Sequence, residues 1–164
     1  MRVWGVTGWK NSGKTGLMER LVAAFSARGH TISTIKHAHH GFDVDQPGRD
    51  SHRHRAAGAQ EVLVASNTRW ALIHELRGAE EPRLEDLLAQ LSPADLVLVE
   101  GYKHGDHPKI ACHRAETGQP PFAVGEGGVR AIASDTGQTD LAKRHFHLDD
   151  TEAIVAFVSR ELGL

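Results

Sequence analysis

Residues 8 to 15 read Gly-Trp-Lys-Asn-Ser-Gly-Lys-Thr, a complete G-x-x-x-x-G-K-T. No other stretch of the chain restricts the fold so strongly. The pattern needs a strand before it, a tight turn whose backbone N–H groups converge, and a helix after it. The flanking sequence supplies both partners. Residues 2 to 7 form a short apolar run suited to a buried strand. From residue 14 to 28, Leu17, Leu21, Val22 and Phe25 recur on one helical face, and Gly29 ends the pattern. Gly8 and Gly13 leave room where a Cβ would crowd a phosphate. The start of the helix adds its positive dipole. Lys14 then reaches the β- and γ-phosphates, and the Thr15 hydroxyl is placed to ligate Mg²⁺.

Further along, strands and helices alternate. Residues 31 to 36 alternate and are β-branched, and they read as the second strand. A short helix is expected from 51 to 59, strands at 61–65 and 70–74, and a helix at 83–91. The run Leu-Val-Leu-Val, within 95 to 99, is continuous and apolar, as a central parallel strand requires. Residues 109–112 and 129–133 are further strands, and 151–162 is a closing amphipathic helix. This order predicts an α/β protein, a P-loop NTPase three-layer fold with a mainly parallel central sheet. One domain spanning 1–164 is expected, with a β-hairpin or extension around 61–76. In such sheets ligands sit at the carboxyl ends of strands, where the Gly8–Thr15 loop begins.

Two sets of carboxylates are candidates for work at that edge. Glu100 ends the apolar strand and precedes Gly101, so it is the expected metal-side carboxylate, direct or through water. Asp43 and Asp45 lie in the polar segment 37–51, after strand two, and are candidates to orient a water. His37, His39 and His40 in the same segment raise a transition-metal reading. Their spacing lacks the i, i+4 helical pair and a cysteine partner, which favours a solvated loop. Trp9 is expected to pack within the loop. Cys112 is expected to be a buried small hydrophobe.

Composition excludes several classes. The net charge is −2, so non-specific nucleic-acid binding has no electrostatic support. A single cysteine excludes an intrachain disulfide and a thiolate metal cluster. The apolar runs are too short to span a bilayer, and the N-terminus lacks a signal-peptide pattern. A cytoplasmic protein is expected.

Taken together, G-W-K-N-S-G-K-T, K-H-A-H-H-G-F-D-V-D, G-R-D-S-H-R-H-R-A-A-G-A, D-L-V-L-V-E-G-Y-K and P-K-I resemble the molybdopterin-guanine dinucleotide biosynthesis adaptor family, MobB. The resemblance covers at least residues 1 to 135. It implies a GTP-binding fold with weak GTP hydrolysis and a homodimer, and weak hydrolysis fits a sequence in which the residues show phosphate and metal ligands but no convincing catalytic apparatus. The implied partners are the guanylyltransferase that attaches GMP to molybdopterin, and molybdopterin or the enzymes that carry it. By position, Gly8, Lys10, Asn11, Ser12, Gly13, Lys14 and Thr15 hold the phosphates of GTP. Thr15 and Glu100 serve Mg²⁺, and residues 37–45 resemble a switch region. The chain has no N-K-x-D for guanine, so Asp135, after a late strand, is the candidate base contact. Two alternatives stay open: a small-molecule P-loop kinase using Asp43 or Glu100 as base, and a metal-chaperone GTPase.

Overall fold

The computed structural model describes residues 1–38, 41–140 and 142–164. His39 and His40, two of the three histidines of the transition-metal reading, lie outside the described residues. The chain divides into two compact units, residues 1–37 with 87–164, and residues 38–86.

The first unit is built on a six-stranded sheet. Its strands are β1 (Arg2–Gly8), β2 (Ile32–Lys36), β5 (Leu96–Glu100), β6 (Lys109–His113), β7 (Val129–Ser134) and β8 (His145–His147), in the order β2-β5-β1-β6-β7-β8. Every neighbouring pair is parallel. Period-two alternation explains the core. Trp4, Val6, Leu96, Leu98, Ile110, Cys112, Ala131 and Ala133 form one cluster with side chains of α1 (Lys14–Ala27) and α4 (Thr151–Leu162). The alternate residues Val97, Val99 and Ala111 are buried as well. Burial on both faces is why β5 reads as an unbroken apolar run.

The helix ends follow local chemistry. Gly29 turns the chain out of α1 at φ +87°. The Asp150 carboxylate caps α4 by accepting from the Ala153 N–H at 3.2 Å, and Gly163 closes it in the left-handed region. Asp95 accepts from the Thr31 N–H and hydroxyl at 2.8 and 2.7 Å, tying the entry of β5 to that of β2.

Two elements differ from expectation. The helix expected at 83–91 is only α3 (Leu84–Leu88). Beyond it the Gln90 and Leu91 amides bond the carbonyls three residues back, a tighter winding that ends the helix before Pro93. The strand β8 was not expected. His145 and His147 are half-buried edge residues flanking the buried Phe146. Three residues are too few to carry a periodic signal.

The second unit holds α2 (Asp50–Ala56) and the antiparallel pair β3 (Glu61–Ala65) and β4 (Trp70–His74), the expected hairpin. The hairpin buries Val62 but leaves Leu63, Val64, Trp70 and Leu72 exposed. Among the described residues no helix is long and apolar enough to cross a membrane.

Candidate functional site

The loop from Gly8 to Thr15 leaves the carboxyl end of β1, an interior strand, and enters α1. Its glycines are required by geometry. Gly8 has φ +146°, and a Cβ there would lie 2.5 Å from the Cys112 carbonyl oxygen on β6. Gly13 has φ +91°, and a Cβ there would lie 2.7 Å from Leu148 Cδ2. Asn11 takes the left-handed region at φ +64°, which asparagine tolerates. Ser12 is fully buried, and its hydroxyl has no hydrogen-bond partner among the described residues. Lys10 and Asn11 are exposed at the loop's outer edge.

Lys14 Nζ donates to the Trp9 carbonyl at 2.7 Å, so the ammonium is folded back over the loop. Burial pushes its pKa down, Glu100 opposes this, and Lys103 and Lys36 add to the depression. Thr15 Oγ1 lies 3.4 Å from Glu100 Oε1, and Lys36 Nζ lies 3.5 Å from the same oxygen. Glu100 is 8% exposed. The strand register explains the meeting, because Glu100 pairs with Val6 on β1 and with Lys36 on β2. The structure therefore brings Lys14, Thr15 and Glu100 to one edge. An ammonium on a tight glycine turn can bind phosphate, and a hydroxyl beside a carboxylate offers the oxygen donors a hard divalent cation prefers. The donor set of Lys14, Thr15 and Glu100 fits a phosphate with its cation.

Asp135 follows β7. Its carboxylate accepts from the Ala115 N–H at 3.0 Å, and its own N–H reaches the His113 carbonyl at 3.4 Å. This ties the ends of β6 and β7 together. Trp9 packs as expected: it stacks on Phe122 at 5.5 Å, and its Nε1 donates to the Pro120 carbonyl at 3.0 Å. Cys112 is fully buried, and burial pushes its thiol up to about 12.

Asp43 and Asp45 belong to the second unit, where both meet Arg55. Asp43 lies 2.9 Å from Arg55 Nη2, Asp45 lies 3.3 Å from Nε, and Glu75 takes Nη1 at 2.7 Å. The Arg55 hydrogen bonds hold the Asp43 carboxyl below its usual range. Among the described residues no group of three or more His, Cys, Asp or Glu is arranged to hold a metal ion.

The sequence reading gave no role to Lys103, Lys109 or Arg114. Arg114 Nε would lie 3.2 Å from a Cβ on Gly13, so this side chain borders the phosphate loop. The signal was present in E-G-Y-K and P-K-I, whose lysines stood in the motif without a function.

A parallel sheet with a glycine-cradled lysine loop at the end of an interior strand defines a P-loop-type nucleotide-binding α/β protein. The family model described as Molybdopterin guanine dinucleotide synthesis protein B, MobB, matches residues 3–135, and the chain belongs to this family. The molybdopterin-guanine dinucleotide biosynthesis adapter protein of Escherichia coli (strain K12) is 41% identical over 153 residues, covering 92% of this chain and 87% of the relative. Its counterpart in Haemophilus influenzae is 44% identical over 134 residues, covering 80% and 73%. Among solved structures, Bacillus subtilis MobB matches with TM-score 0.76 and 27% identity, covering 99% of this chain and 98% of that one. The MobB protein homolog from Bacillus stearothermophilus matches with TM-score 0.70 and 30% identity, covering 99% of each. These likenesses support the adaptor reading of the sequence, and not the kinase or the metal chaperone. The chain is an adaptor-family protein of molybdopterin guanine dinucleotide biosynthesis.

Proposed function

We propose that the chain binds GTP with Mg²⁺ at the Gly8–Thr15 loop and acts as a nucleotide-dependent adaptor for the guanylyltransferase that attaches GMP to molybdopterin. The observation that most supports this is the meeting of Lys14, Thr15 and Glu100 beside a glycine-lined loop. In this reading Gly8, Lys10, Asn11, Ser12, Gly13 and Lys14 hold the phosphates, Thr15 and Glu100 serve the cation, and Asp135 contacts the base. The cation would neutralise charge on the terminal phosphates.

Hydrolysis in this reading is weak. Asp43 and Asp45 are the carboxylates proposed to orient water, and Arg55 engages both, so that role requires their ion pairs to open. Nucleotide state would order or release the segment 37–55 and so change the surface offered to the guanylyltransferase and its pterin. The protein is proposed to act as a homodimer in the cytoplasm.

The test is the rate at which the guanylyltransferase forms the dinucleotide, with and without this chain. The reading predicts stimulation by the wild type and none by Lys14→Ala. Equal stimulation by both would separate the adaptor role from the phosphate loop.

A further inference from the structure

Lys103 and Lys109, in the two motif segments without a role, have defined partners. Lys109 is fully buried in β6. Its ammonium donates to the carbonyls of Tyr102 at 3.0 Å, Lys103 at 3.4 Å and Gly105. Three carbonyls from four consecutive residues thus converge on one internal cation. The backbone is bent to allow it, with Gly101 at φ +100° and Tyr102 at φ +44°. Gly127 and Gly128 close against this segment, because a Cβ on either would press on the backbone of Lys103, Asp106 or His107.

The clamp directs Lys103 across the phosphate loop. Its Nζ lies 4.4 Å from the centroid of the Trp9 ring. Trp9 also accepts Lys14 Nζ at its carbonyl. One residue of the loop therefore holds two ammonium groups, Lys14 through its backbone and Lys103 through its ring. Trp9 is itself fixed by Phe122 and the Pro120 carbonyl.

The neighbours of Lys103 say which end of a nucleotide it would meet. Its segment joins β5 to β6, which lie on either side of β1 and so of the phosphate loop. Its ammonium shares Trp9 with Lys14 and helps to depress the Lys14 pKa, so it lies beside the lysine proposed for the terminal phosphates. Asp135 follows β7, on the side proposed for the base. An ammonium over a half-exposed ring is held less strongly than one in a charge-assisted hydrogen bond to phosphate, so exchange favours the phosphate.

Resting on the reading that this loop binds a nucleotide, the geometry points to Lys103 as a further nucleotide-binding residue whose ammonium passes from the Trp9 ring to the γ-phosphate of a nucleoside triphosphate, with Lys109 as the residue that positions it. This makes the 101–108 segment the part of the site that distinguishes triphosphate from diphosphate.

The experiment is calorimetric titration of GTP and of GDP, each with Mg²⁺, into the wild type, Lys103→Met, Lys103→Arg and Lys109→Met. Lys103→Met is expected to weaken GTP by about tenfold, the loss of one charge-assisted contact, and to leave GDP nearly unchanged. Lys103→Arg restores most of the GTP affinity, and Lys109→Met shows the same GTP-selective loss. Equal losses for both nucleotides in Lys103→Met, or no loss for either, overturn the proposal. Because Lys109 is buried, circular dichroism accompanies its variant, and the Lys103 pair decides the matter if that variant fails to fold. A wild type that binds neither nucleotide defeats the phosphate-loop reading itself, an outcome distinct from unselective loss in Lys103→Met.

Discussion

Cys112 sits on β6 directly behind the phosphate loop, with its carbonyl against Gly8. A thiol here is attractive as a nucleophile only on paper. It is fully buried, and burial raises its pKa to about 12, so the thiolate that would react is scarce at neutral pH. The native protein is therefore expected to resist iodoacetamide at pH 8 and to be alkylated once unfolded, as read by intact mass. Rapid alkylation of the native protein would contradict this burial. At the same scale, the turn at Gly8 and Gly13 was legible, because a G-x-x-x-x-G-K-T between a strand and a helix calls for positive φ there. Lys109 was not legible. A lysine in sequence looks the same on a surface as at the centre of three carbonyls, and only the bend at Gly101 and Tyr102 makes the difference.

Among the elements, α2 and the hairpin depend on Arg55. The guanidinium binds Asp43, Asp45 and Glu75, so one side chain joins the loop, the helix and the end of β4. Its Nη partner Asp43 is bound by both carboxylate oxygens at 2.9 Å. Arg55→Ala would leave the enclosed Asp45 carboxylate without its cation, which is costly. Hydrogen exchange should then quicken by about tenfold or more in residues 41–76, while the sheet strands β1 and β5 keep their protection. Unchanged exchange in 41–76 would show that Arg55 does not hold this unit. The long strands were legible from their apolar runs, and α1 and α4 from their periodicity. The short helix α3 gives way to tighter turns before Pro93, and β8 has too few residues to carry a periodic signal, so neither was legible. The pairing of Asp43 and Asp45 with Arg55 was hidden because it joins residues ten or more apart.

Over the whole molecule, the chain separates into a nucleotide-type sheet unit and a small unit carrying an exposed apolar hairpin face. The hairpin was readable from two β-branched, aromatic-containing runs, but the division into units depends on where long-range contacts fall. Leu63, Trp70 and Leu72, at 60%, 65% and 45% exposure, share one face of the hairpin, and the proposed homodimer would have this apolar face to bury. Sedimentation of the wild type should give a dimer, and Leu63→Glu with Trp70→Glu should shift it toward monomer. A wild type that sediments as a monomer at micromolar concentration would remove the dimer from the account.

The central claim is that the Gly8–Thr15 loop binds GTP. The most direct measurement is calorimetry of GTP and ATP, in Mg²⁺, with the wild type and Lys14→Ala. The account predicts saturable binding with a preference for GTP, and loss of that binding in a Lys14→Ala protein that remains folded. Unchanged affinity in Lys14→Ala, or a preference for ATP, would contradict it.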